Sequence, residues 1–91
     1  GWTALHYAAE QRNKEILEKV LALGAHVNAK NNTGKTPLFL AASDGRADNI
    51  MLLIQHGADV HAQDQRGITA RMFAVDQEQI EIAELLEQYE K

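Results

Sequence analysis

Residues 34–62 read GKTPLFLAASDGRADNIMLLIQHGADVHA, and this stretch occurs almost three times in the chain. Gly1, Gly34 and Gly67 stand 33 residues apart, as do Thr3, Thr36 and Thr69, and Ala8, Ala41 and Ala74. Gly24 and Gly57 keep the same step. A fixed period of that size signals a stack of like supersecondary units, none of which can bury its apolar face alone.

The second copy shows how one unit is built. Thr36 has the side chain of an N-cap, and Pro37 follows at the first helical position, where a missing N–H costs nothing. Leu38, Ala41 and Ala42 fall at helical spacing, predicting a helix of about two turns that ends near Ser43-Asp44-Gly45. A second helix is predicted from about Ala47 to Gln55, with Ile50, Leu52, Leu53 and Ile54 as its apolar set. Gly57 can take the left-handed conformation just past its last turn. Residues 58–66 are polar and turn-rich, an extended excursion before Gly67 restarts the cycle. The Ala-Ala pair of the first helix allows close helix approach, so the expected class is all-α, an array of stacked antiparallel helix pairs.

These residues resemble the ankyrin repeat. The first copy has Gly1-Trp2-Thr3-Ala4-Leu5-His6-Tyr7-Ala8-Ala9 with Gly24-Ala25-His26-Val27-Asn28-Ala29. The second has Gly34-Lys35-Thr36-Pro37-Leu38 with Gly57-Ala58-Asp59-Val60-His61-Ala62. The third has Gly67-Ile68-Thr69-Ala70 with Ile80-Glu81-Ile82-Ala83-Glu84-Leu85-Leu86. The resemblance spans residues 1–91 and implies one ankyrin-repeat solenoid, with repeats over 1–33 and 34–66 and a C-terminal cap over 67–91. It also implies a module that binds proteins inside the cell, in the cytoplasm or nucleus.

Composition narrows the function classes. The 91 residues include no cysteine, which removes disulfides and thiol nucleophiles. The longest apolar run falls far short of the ~20 residues of a membrane helix. No charged-then-apolar leader is read at the start, so no secretion signal is expected. Residues 1–66 carry seven acids and seven bases, whereas residues 67–91 carry six acids against Arg71 and Lys91. The net charge of −4 therefore sits in the last copy, and no basic footprint for nucleic acid or anionic lipid is present. His6, His26, His56 and His61 match no metal-ligand spacing, Ser43 has no histidine placed to activate it, and Gly34-Lys35-Thr36 lacks the rest of a phosphate loop. No catalytic residue, metal or cofactor is expected. The ankyrin resemblance implies a structural donor and acceptor role for His6, and Asn28 reads as a brace for its turn.

Departures between the copies carry further expectations. Arg12 and Glu78 replace the glycine between the two helices. Phe39 stands in the slot of His6, which forfeits a hydrogen bond and fills core instead. Asn49 stands in the slot of Ile16 and Ile82, must find polar partners if buried, and reads as replaceable by isoleucine. Met51, in the slot of Glu18 and Glu84, reads as a lone exposed methionine. Arg71 in the slot of Leu5 and Leu38, and Glu87 in the slot of Leu21 and Ile54, give the last copy a polar outer side. The Thr69-Ala70-Arg71 opening resembles terminal ankyrin repeats. Glu81, Glu84 and Glu87 read as a solvated helix face. No polar unit covers the outer side of Leu5, Ala8, Ile16 and Val20, so the first copy looks like an internal repeat. A longer array, or self-association through an uncapped N-terminal face, follows as an expectation.

The ankyrin resemblance places partner contacts on a concave face made of turn tips and the exposed side of each first helix. Matched by position, these are Trp2, Glu10, Gln11, Lys30, Asn32, Thr33, Lys35, Ser43, Asp44, Gln63, Gln65, Arg66, Ile68, Asp76 and Gln77. Trp2, Lys35 and Ile68 form a row at one repeat step, with the tryptophan as an anchor or as packing for an upstream unit. Two readings stand: a non-catalytic protein-binding module, and a structural segment that terminates a longer array.

Overall fold

A computed structural model describes residues 2–11 and 13–91. It contains α1 (Ala4–Glu10), α2 (Lys14–Ala22), α3 (Pro37–Ser43), α4 (Ala47–Gln55), α5 (Ala70–Asp76) and α6 (Ile80–Glu90). These are three helix pairs, α1/α2, α3/α4 and α5/α6, at the positions the period predicts. The first helices stack in a row, α1 on α3 and α3 on α5, with α2 packed against α4 beside them. Among the described residues the only β-type pairing is an isolated antiparallel bridge between Gln63 and Thr69. Gly1 and Arg12 lie outside the described residues, and with them the expectation that Arg12, in place of a glycine, strains or rearranges the turn between α1 and α2.

The core follows from the small residues. Ala8, Ala9, Ala41, Ala42 and Ala74 are buried, which brings the first helices close enough to seal Leu5, Leu17, Leu38, Ile50, Leu53 and Leu86 from water. Leu5 and Ala8 are thus covered within the chain, contrary to the expected uncovered outer side. They face the following pair, not a preceding one. Of the four residues expected there, Ile16 is exposed and Val20 half-buried.

Helix ends differ between the copies. Thr3 caps α1 in a capping box: its hydroxyl accepts from the His6 N–H, and the His6 ring accepts from the Thr3 N–H at 3.0 Å. Thr69 caps α5 by accepting from the Met72 N–H at 3.3 Å. Thr36 does not cap α3, correcting the sequence expectation, and its Oγ1 is buried without a partner. The Phe39 N–H bonds the Thr36 backbone carbonyl at 3.0 Å instead, and the Phe39 side chain, 1% exposed and packed on Phe73 with ring centroids 6.0 Å apart, offers no polar atom in the histidine slot.

The turns after α3 and α5 close as Schellman motifs. The Arg46 N–H donates to the Ala41 carbonyl and the Gly45 N–H to that of Ala42. The Gln79 and Glu78 N–H groups do the same to Ala74 and Val75. The left-handed residue is Gly45 in one turn and Glu78, at φ 62°, in the other. α1 ends differently: its C-cap Gln11 is extended, at φ −73° and ψ 148°. The carbonyls of Ala9, Glu10 and Gln11 are instead met from the second pair. Asn49 Nδ2 donates to Ala9 and Gln11 at 2.9 and 2.8 Å, and Arg46 Nε to Glu10 at 2.9 Å. Gln79, in the slot of Arg46, repeats the reach by donating to the Ser43 carbonyl at 3.3 Å.

On the last pair, Arg71 Nε lies 2.8 Å from Glu90 Oε1, an ion pair where earlier copies have leucine. Glu81, Glu84 and Glu87 are exposed, as expected. Met51 is half-buried and accepts from the Tyr89 hydroxyl at 3.2 Å, so it is not the lone exposed side chain expected.

Candidate protein-docking face

The face is built by two polar fingers, residues 25–35 and 58–68, and by the C-terminal ends of α1, α3 and α5. Each finger is closed by one oxygen. Asn31 Oδ1 accepts from the Thr33 and Lys35 N–H groups, both at 3.0 Å. Asp64 Oδ1 accepts from the Arg66 and Ile68 N–H groups at 2.8 and 3.0 Å, two positions related to the first pair by the repeat step. An Asx side chain bonding its own backbone two residues on is the usual local device for such a turn.

The two fingers are then zipped together. Asn28 Nδ2 donates to the Gly57 carbonyl, and its Oδ1 accepts from the Asp59 N–H, so it braces the next copy and not, as expected, its own turn. Lys30 Nζ donates to the Gln63 carbonyl at 3.2 Å, Gln65 Nε2 to the Asn32 carbonyl at 2.8 Å, and the Gln65 N–H to the Thr33 carbonyl at 3.1 Å. The approach is so close at Gly34, φ 84°, that a Cβ there would lie 2.9 Å from the Gln65 nitrogen. His6 ties the first helix to the first finger. With Nδ1 accepting from Thr3, its Nε2–H donates to the Lys35 carbonyl at 2.8 Å.

Lys35 is turned inward. Its Nζ lies 3.4 Å from Asp64 Oδ2 and 5.1 Å from the centre of the Phe73 ring, and its side chain is 15% exposed. The Asp64 carboxylate beside it is buried. Burial alone would raise its pKa, but the Ile68 and Arg66 N–H groups and the Lys35 ammonium outweigh that and hold it below the usual carboxylate range. Asp64 Oδ2 has no hydrogen bond of its own, so Lys35 serves it as a charge at close range. The row of Trp2, Lys35 and Ile68 is therefore not a uniform contact strip. Trp2 is exposed and lies against Tyr7 with ring centroids 4.8 Å apart and planes tilted by 48°, Lys35 is engaged internally, and Ile68 is half-buried.

The other position-matched residues divide by exposure. Gln11, Lys30, Asn32, Thr33, Asp44, Gln63, Gln65, Arg66, Asp76 and Gln77 are exposed, whereas Glu10 and Ser43 are half-buried. Lys30 and Arg66 stand on the fingers. Glu10, Asp44 and Asp76 stand at the C-terminal ends of the first helices, where the helix dipole disfavours negative charge. Burial and the neighbouring Asp44 raise the Glu10 pKa, against a smaller lowering by Arg46. Sequence reasoning missed Asp64, Arg46 and Gln79, whose signal was the shared repeat slot: each is polar where its partner one copy away makes the matching contact.

Stacked helix pairs presenting polar fingers define a helical-repeat scaffold. The sequence profile for ankyrin repeats in three copies matches residues 19–91, and that for a single ankyrin repeat matches residues 1–32. The chain belongs to the ankyrin repeat family, a family of protein–protein interaction modules. It is 44% identical over 80 residues to an IkB-like protein of African swine fever virus (strain Badajoz 1971 Vero-adapted), covering 82% of this chain and 34% of that protein. It is 37% identical over 70 residues to the potassium channel AKT1 of Oryza sativa subsp. indica, covering 77% and 8%. It is 36% identical over 76 residues to the E3 ubiquitin-protein ligase KEG of Arabidopsis thaliana, covering 84% and 5%. The chain thus spans about a third of the viral relatives and a small part of the plant ones. Among the described residues no helix is long and apolar enough to cross a membrane.

Proposed function

We propose that this chain is a non-catalytic module that captures another protein on the concave face formed by the two fingers and the ends of the first helices. One observation carries the reading. The fingers are pinned to each other by cross-copy hydrogen bonds from Asn28, Lys30 and Gln65, so Arg66, Thr33 and Gln63 are held out on a surface ordered before any partner arrives. Binding to such a surface forfeits little ordering entropy. The charge layout adds direction: bases on the fingers, and Glu10, Asp44 and Asp76 at helix ends that disfavour them. Negative charge kept where it costs about 0.3–1 kcal/mol suits a partner that presents a basic group there.

Relatives with names as different as a channel, a ubiquitin ligase and an IkB-like protein share this stretch, which supports binding as the common property. Work inside the cell, in cytoplasm or nucleus, with repeats over 1–33, 34–66 and 67–91, belongs to the same reading. The test begins with affinity capture and identification of the bound protein, followed by titration. Arg66→Ala and Asp44→Asn should each weaken binding about tenfold or more, roughly 1.4 kcal/mol, Asp44→Asn with unchanged or higher melting temperature and Arg66→Ala with at most a small loss, since its largely exposed guanidinium lies 3.9 Å from Asp64 Oδ2. Glu84→Ala, on the outer helix, should bind as the parent does. Equal losses from Glu84→Ala and Arg66→Ala would sink the reading. Lys35→Ala is not a clean probe, because it removes the charge beside buried Asp64.

A second reading is favoured by the Arg71–Glu90 ion pair. It puts a polar contact on the side of α5 where Leu5 and Leu38 are sealed in the earlier copies. This suits a segment that terminates an array. If termination is the whole role, Arg71→Ala lowers melting while every concave-face variant leaves partner capture intact.

A further inference from the structure

The second helices of the three pairs differ at two adjacent slots. α4 carries Met51 and Leu52, where α2 carries Glu18 and Lys19 and α6 carries Glu84 and Leu85. A glutamate in the slot of Met51 is compatible with stacking in two copies, so the apolar pair in the middle copy is more than the fold asks for. Met51 and Leu52 are both half-buried. They line a groove of about 250 Å³ between α2 and α4, with Lys14, Glu18, Asp48 and Gln55 around them and no finger residue among them.

The floor of this groove is held and its walls carry free charge. From the α6 side the Tyr89 hydroxyl donates to Met51 Sδ at 3.2 Å, which restrains a side chain of a pliable type. Glu18 on one wall and Asp48 on the other are exposed. The ion pairs among the described residues are Lys35–Asp64, Arg66–Asp64 and Arg71–Glu90, so neither of these two carboxylates is paired. Lys14 offsets one of the two charges and leaves the groove net negative. Its volume lies below the roughly 300–1,000 Å³ of small-molecule pockets and fits side chains of a protein rather than a cofactor.

We propose that this groove is a second docking site, separate from the finger face, for a basic amphipathic segment of another protein. An aliphatic side chain of that segment covers Met51 and Leu52, and a neighbouring lysine or arginine lies between Glu18 and Asp48. Covering the apolar floor supplies the attraction, and the two carboxylates select the flanking charge. A second copy of this chain is a poor occupant, because its net charge of −4 opposes a negative groove.

Carbon-labelled methionine methyl groups give the readout, since the chain has two methionines, Met51 in the groove and Met72, exposed on α5. The full chain is titrated with acetyl-Lys-Leu-Leu-Lys-amide, acetyl-Glu-Leu-Leu-Glu-amide and acetyl-Lys-Ser-Ser-Lys-amide. The first should move the Met51 signal saturably, with a Kd of about 1 mM or tighter, and leave Met72 in place. The other two should move neither. Glu18→Gln combined with Asp48→Asn should weaken the first peptide about fivefold, as the loss of two exposed ion pairs would. Glu87→Gln, outside the groove, and Arg66→Ala, on the finger face, should leave it unchanged, which separates this site from the concave one. Equal binding of the glutamate or serine peptide would overturn the proposal, as would equal shifts at Met51 and Met72, no shift at all, or full affinity in the double variant. A Met51 signal that moves with protein concentration alone would overturn it in favour of a second copy.

Discussion

Replacing Asn49 by isoleucine tests how the first two helix pairs are joined. Judged by its slot alone, Asn49→Ile should be harmless, since Ile82 sits in the same place one copy later. The structure reverses that expectation. Asn49 Nδ2 is the donor that meets the Ala9 and Gln11 carbonyls, and with Gln11 extended no backbone N–H among the described residues bonds either of them. Leaving a buried acceptor unpaired costs about 1–3 kcal/mol. The Gln11 carbonyl is closer to water and adds less. Against this, isoleucine removes a buried amide and adds apolar area, returning on the order of 1 kcal/mol. The net expectation is a loss of roughly 1–3 kcal/mol, which in a domain of this size lowers the melting temperature by roughly 4–24 °C. Urea titration followed by circular dichroism gives the free energy, and an unchanged m-value would locate the loss in the folded state. An Asn49→Ile protein as stable as the original would refute the bridging role.

Three further outcomes follow from single contacts. Glu78→Gly relieves a left-handed non-glycine residue and should stabilise the fold by about 0.5–1 kcal/mol, read by thermal melting; a loss would mean Glu78 makes a compensating contact. His6→Phe copies the second pair into the first, removing the donor to the Lys35 carbonyl and the partner of Thr3, and should cost about 1–3 kcal/mol in a urea titration. Asp64 has a lowered pKa in the folded state, so the stability it lends is present above the unfolded carboxylate value of about 4 and is lost as pH falls through the lower folded value. Asp64→Asn keeps the turn, as Asn31 does, and should flatten the acid limb of a melting-temperature profile below about pH 4; an acid limb as steep as the original's would assign it to other carboxylates.

The period, the helix pairs and the place of the turns were legible because they depend on spacing, and spacing is printed in the sequence. Pro37–Ser43 and Ala47–Gln55 fall where Thr36, Pro37 and the two glycines put them. The cost of Phe39 was legible too, although not that Thr36 would be left without a partner. The orientation of each face was not. Apolar spacing shows that Leu5 and Ala8 lie on a buried side, but not whether that side looks toward the next unit or the previous one. The role of Asn49 depended on the conformation of Gln11, which no residue type announces. Lys35 looked like part of a contact row because its bend toward Asp64 joins residues almost one full step apart.

Asn31 and Asp64 close their fingers with the same oxygen on the same two backbone positions, and they differ only in the second atom, an amide nitrogen or a carboxylate oxygen. The shape of a finger and its ionic character are therefore separate variables. Charge can be written onto any rung of such an array, or erased from it, while the pitch from rung to rung stays the same.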